Sequence, residues 1–239
     1  MVCTGVNNQQ LTPSATAVSR FVGIEKGQFM KFAKIAIAAA AALALSGAAQ
    51  AAGTSTGTFN VTINITGTCN AVAVTTGQAA PISTASPTLS GADIDFGSKV
   101  AATGAAAVNG NNVGGAASSI AVNCSKNTPY TIAMSPTTVA STVGLGTMNG
   151  ITGGNTDTIT YQLYQPTITG VGLTATVNNS ASANPWGNVT SGAGKNVLAF
   201  TGKGLATSTV FPVFATIPAG SLDKFVDRYQ DQVTVTLAW

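Results

Sequence analysis

Side chains able to do acid–base or nucleophilic chemistry are scarce here, and the scarcity is informative. Among 239 residues there is no histidine. Ser–His and Cys–His nucleophile systems and histidine metal ligands are therefore all ruled out. The carboxylates of interest form two groups. Asp93 and Asp95 can share one face of a strand. They could serve as a carboxylate pair or a weak Ca²⁺ site, but they read as a solvated sheet edge. Asp223, Asp227 and Asp231 have the spacing of a helix turn, with Lys224 and Arg228 among them, and read as a surface salt-bridge cluster. Asp231 is also placed to hydrogen-bond a turn. Ser191-Gly192-Ala193-Gly194-Lys195-Asn196 resembles a phosphate loop only in composition, because the G-x-x-x-x-G-K-S/T spacing is missing. No catalytic residue, metal or cofactor is expected, and the chain reads as a non-enzyme.

The three cysteines separate by position. Cys3 lies upstream of an export signal, whose parts are a basic n-region Met30-Lys31-Phe32-Ala33-Lys34, an apolar stretch from Ile35 to Leu45, and the small-x-small site Ala49-Gln50-Ala51. Residues 30–51 are thus the expected signal peptide. Residues 1–29 are either the product of a start codon placed too early or an extended leader. Cys69 and Cys124 remain as an even pair in an oxidising compartment and are expected to be bridged, with two buried free thiols as the alternative. The apolar stretch is short for a membrane span, which needs about 20 residues.

The leader also carries the charge. The net +3 of the whole chain resides in residues 1–51; after Ala52 six basic residues balance six acidic ones. The sequence pI of 8.8 therefore gives no support to nucleic-acid binding, which needs a clustered basic face. Charged residues are 7% of the chain, against about 25% in ordinary soluble domains. A Thr-, Ser-, Asn- and Gly-covered surface suits a protein that assembles into a larger structure.

The elements that position these residues read as strands. Phe59, Val61, Ile63 and Ile65 alternate with Asn60, Thr62, Asn64 and Thr66, which gives a strand with one apolar face. Ile94–Gly97 is a short strand ending in a turn, and 104–117 a loop. Ile120, Val122 and Cys124 alternate into the core, as do Tyr130, Ile132 and Met134 after an Asn127-Thr128-Pro129 turn. Residues 136–156 are weakly patterned. Ile159, Tyr161 and Leu163 give another apolar face. Residues 169–195 read as irregular, anchored by Pro185-Trp186-Gly187. A strand covers 210–217, with Pro212 marking an edge or bulge. In the last strand Val233, Val235, Leu237 and Trp239 face inward. Trp186 and Trp239 are candidate core plugs, with Trp186 alternatively an exposed sugar contact. The class is an all-β sandwich.

Several of these features occur together in one family. The alternating strand into Cys69, Asp95-Phe96-Gly97, Ala121-Val122-Asn123-Cys124 followed by Pro129-Tyr130, Ile159-Thr160-Tyr161-Gln162-Leu163-Tyr164, Trp186-Gly187, Ala219-Gly220, and Tyr229-Gln230-Asp231-Gln232-Val233-Thr234-Val235-Thr236-Leu237 lie in family order. On these residues the chain, over 58–239, resembles the spore coat U domain family, which includes archaic chaperone–usher pilus subunits. It departs from that pattern in long Gly-rich loops and in an inserted segment, 221–228.

The resemblance implies an immunoglobulin-like β-sandwich that lacks its last strand and is completed by a donor strand. It implies a secreted structural subunit of a surface pilus or fimbria that supports adhesion and biofilm formation. The implied partners are a periplasmic chaperone, an outer-membrane usher, and further copies of this chain or sibling pilus subunits. No nucleic acid and no small-molecule substrate is expected. The donor candidate lies in residues 52–66, with Phe59, Val61, Ile63 and Ile65 as its apolar side chains; the alternative is that they form this domain's own first strand. A self-complete coat or surface sandwich and a carbohydrate-binding module are the rival readings.

Overall fold

A computed structural model of the chain describes residues 56–77 and 86–239. The expected leader and signal peptide lie outside the described residues. Two compact units are distinguished, Met1–Thr62 and Ile63–Trp239. The described part of the first, residues 56–62, is exposed and holds no regular element.

The second unit is an all-β sandwich. Its strands are β1 (Ala73–Val74), β2 (Val108–Asn111), β3 (Ile120–Val122), β4 (Pro129–Pro136), β5 (Leu145–Gly150), β6 (Thr158–Thr169), β7 (Thr176–Pro185), β8 (Leu198–Thr201), β9 (Thr209–Phe211), β10 (Phe214–Ile217), β11 (Tyr229–Gln230) and β12 (Val233–Ala238). All pairings are antiparallel. One sheet runs β1-β3-β9 and another β12-β4-β8. The third runs β11-β5-β6-β10-β2, with β7 paired to β6.

The core follows the period-2 pattern of the sequence. Ile120, Val122, Tyr130, Ile132, Met134, Ile159, Tyr161, Leu163, Leu198, Phe200 and Phe211 are buried together, with the rings of Tyr130, Phe200 and Phe211 in tilted and edge-to-face contacts. Trp186 is 0% exposed, and its indole N–H donates to the Ile132 carbonyl at 2.9 Å. A ring sealed in the core cannot stack on a sugar, so the exposed-contact reading of Trp186 is overturned.

Several stretches depart from the sequence reading. The expected Ile94–Gly97 strand is reduced to a single bridge between Ile94 and Asn112. β2 forms inside the expected 104–117 loop, β5 inside 136–156, and β7 inside 169–195. The expected strand over 210–217 is two strands in different sheets, β9 and β10, and the chain crosses between the layers at Pro212-Val213. Pro212 has no N–H to lose from a ladder, so the crossover falls where a ladder would break anyway.

Candidate functional site

The edge strand β12 is the unusual feature of the sandwich. Among the described residues it pairs only with β4, in a register that sets Val233 opposite Pro136 and Ala238 opposite Thr131. The outer row of its N–H and C=O groups has no strand partner among the described residues. β12 alternates cleanly, as its sequence requires, and its core-facing side chains are Val233, Val235 and Leu237. These pack against the core but stay half-buried. β8, at the opposite edge of the same sheet, differs: its inward residues Leu198 and Phe200 are buried. The core is therefore closed at the β8 edge and open at the β12 edge. Trp239, expected to face inward as a core plug, is 60% exposed. It lies just past β12, uncovered among the described residues.

Two clamps hold the Val233 end of this edge. The Asp231 carboxylate accepts from the Tyr161 hydroxyl at 2.8 Å, from the Thr138 N–H at 3.0 Å and from the Gln232 N–H at 2.8 Å. Burial, and then the Asp231 charge, push the Tyr161 phenol well above its ordinary range. Asp231 does hydrogen-bond a turn, as its position suggested. The second clamp is Asp227, which accepts from Asn155 at 2.7 Å, from the Thr152 N–H at 2.9 Å and from the Thr152 hydroxyl at 2.8 Å. The Asn155 amide leads the effects that hold its pKa down at about 2. The expected salt-bridge cluster over 223–231 is not formed. This segment is not helical, and the ion pair present joins Arg228 to Asp95 at 3.9 Å. Asp93 acts locally, accepting from the Gly77 N–H at 2.8 Å and the Ser90 N–H at 3.1 Å.

The Trp239 end is tied differently. Cys69 and Cys124 form the expected disulfide, with Cα atoms 4.0 Å apart, closing a loop of 55 residues. Such a closure stabilises by roughly 4 kcal/mol in the chain-entropy model. Beside it, Thr68 and Ser125 exchange backbone and hydroxyl hydrogen bonds of 2.9 Å, so the chain is anchored from Thr68 onward. A shallow depression at this end lies against the solvent-facing row of the sheet, with Thr131, Ala199, Thr201, Ala238 and Trp239 in its wall. The Tyr130 hydroxyl is buried without a hydrogen-bond partner. Its pKa is pushed up to about 12 by burial, tempered by the neighbouring Thr209 hydroxyl.

The candidate donor residues are not in the core. Phe59, Val61, Ile63 and Ile65 are 86%, 84%, 86% and 81% exposed, and no strand is formed over 56–68. Among the described residues the alternating segment has no partner strand to satisfy its backbone.

One comparison with known proteins bears on this geometry. The model of the family described as Spore Coat Protein U domain matches residues 55–236. No curated protein matches the chain.

Proposed function

The chain belongs to the Spore Coat Protein U domain family, a family of structural pilus and coat domains, and from that premise we propose that it is a secreted pilus subunit polymerised by donor-strand exchange. The observation that carries this reading is the pairing of two incomplete features. One is the edge strand β12, whose inward residues stay half-buried. The other is an apolar alternating segment, Phe59 to Ile65, that is almost fully exposed. An exposed flat edge with apolar neighbours aggregates unless it is covered. An extended segment added to it supplies backbone hydrogen bonds and fills the positions between the sheets with alternate side chains. Burying each of Phe59, Val61, Ile63 and Ile65 is worth roughly 1.5–3 kcal/mol. Before assembly a periplasmic chaperone covers the edge, and an outer-membrane usher receives the subunit. Each contact is head-to-tail and does not close, so it propagates as a fibre used in adhesion and biofilm formation.

A peptide of residues Thr56–Thr66 tests the proposal. Added during refolding of the chain lacking those residues, it is expected to raise the midpoint of thermal unfolding and to stay bound on an unboiled denaturing gel. The same peptide with Phe59→Asp and Val61→Asp is expected to do neither. Equal stabilisation by both peptides, or by neither, contradicts strand addition at β12.

A further inference from the structure

The two ends of the sandwich carry opposite charge. Around the Val233 end lie Asp95, Asp157, Asp223, Asp227 and Asp231, against Lys99, Lys224 and Arg228. Tyr229 pairs with Gly150 at that end, Asp227 reaches Thr152, and Asp157 accepts from the Phe225 N–H at 2.7 Å. Of these five carboxylates only Asp95 has a cation within 4 Å among the described residues; Asp157, Asp227 and Asp231 are satisfied by neutral donors. At the opposite end Lys126 is exposed and Lys203 half-buried. Lys126 packs along Gly204, and Lys203 sits 5.7 Å from the centre of the Phe200 ring. Neither lysine has a carboxylate partner among the described residues.

The chain also fixes which ends meet. Antiparallel addition is the commoner pairing, and it runs the incoming strand from the Trp239 end of β12 to its Val233 end. Donor and edge each carry four apolar positions at spacing two: Phe59, Val61, Ile63, Ile65 and Val233, Val235, Leu237, Trp239. Only one antiparallel register matches all four pairs. A shift by one turns the donor's apolar face to solvent, and a shift by two strands an apolar residue at each end. After Ile65 the donor copy is anchored again at Thr68, beside Ser125. Three residues span at most about 10 Å. The body of the donor copy is thereby held next to the Val233 end of its acceptor, with Ser125-Lys126 and Gly202-Lys203 foremost.

Resting on the strand-exchange reading, we propose that addition occurs in this one register, with Ile65 opposite Val233, Ile63 opposite Val235, Val61 opposite Leu237 and Phe59 opposite Trp239. It seats the Lys126 and Lys203 end of one copy on the Asp157, Asp223 and Asp231 end of the next. The charged contact gives the fibre direction and rejects the reversed approach, in which like charges would meet.

Zero-length carbodiimide coupling of assembled polymer tests this, with the exported chain mixed half ¹⁵N-labelled and half unlabelled. Mixed-isotope peptides linking Lys126 or Lys203 to Asp157, Asp223 or Asp231 are expected in the polymer and absent from monomer. Lys126→Glu combined with Lys203→Glu should lower assembly at low salt several-fold, and Asp223→Lys in the acceptor should restore part of it. If polymer forms but its intermolecular links lie elsewhere, the register and the charged contact are overturned while strand exchange stands. If no denaturant-resistant polymer forms, strand exchange fails and this inference falls with it.

Discussion

Tyr161 and Tyr130 are both buried aromatics with a hydroxyl, yet their environments give opposite expectations. Tyr161 donates to Asp231, and Tyr161→Phe removes a charge-assisted bond from the base of β12. A loss of about 1–3 kcal/mol is expected, read as a lower urea midpoint with an unchanged slope. The Tyr130 hydroxyl is buried without a partner, so Tyr130→Phe should leave stability unchanged or raise it by about 1 kcal/mol. Both phenols are held neutral in the fold, Tyr130 up to about 12 and Tyr161 likewise upward. An unfolded tyrosine ionises near pH 10. Tyr130's contribution is therefore complete below pH 10 and is lost as pH rises from 10 toward 12, and Tyr161's begins to fall above pH 10 and goes on falling beyond that window. Alkaline unfolding followed by tyrosinate absorbance checks this, and Tyr130→Phe should blunt it. At this scale the sequence was most legible where burial follows strict alternation, as at Ile132 and Leu163. Trp239 continues the alternation of β12, but periodicity gives only a side chain's direction. Whether anything lies in that direction depends on a neighbouring strand.

The elements that sequence periodicity missed share a cause. β5 carries Gly146 and Met148 at its buried positions, with a buried Gly144 just before it, so little side chain is there to signal alternation. Gly146 lies opposite Tyr161, and a Cβ there would overlap the Tyr161 ring. Gly146→Ala is expected to destabilise by about 1–3 kcal/mol through overpacking, measured by denaturant unfolding. β7 was unreadable because it is an exposed extension of the β6 hairpin with almost no buried face. The last loop departs from its sequence reading for a different reason. Asp223, Asp227 and Asp231 with Lys224 and Arg228 suggest ion pairs, but Asp227 and Asp231 fold back on backbone, amide and hydroxyl donors, whose positions sequence spacing does not reveal. With its folded pKa held at about 2 by those donors, Asp227 favours the fold above about pH 4, where an unfolded aspartate is ionised. The contribution disappears as pH falls through about 2. Amide exchange in residues 219–228 should therefore quicken over that window. Asp227→Asn should abolish the pH dependence.

At the scale of the whole molecule, the sandwich, the Cys69–Cys124 bridge and the family were all legible from order and spacing along residues 58–239. The open edge was legible in part. The sequence shows a strong final strand; the half-burial of Val233, Val235 and Leu237 appears only once β4 is in place beside it. On the strand-exchange proposal, this edge is filled by residues 59–65 of another copy. The most direct measurement is slow refolding of the chain from Ala52, followed by an unboiled denaturing gel. A ladder of resistant oligomers is predicted, lost when residues 52–66 are deleted or when Phe59→Asp and Val61→Asp are combined. A single monomer band across a wide concentration range, for the unaltered chain, would contradict the account.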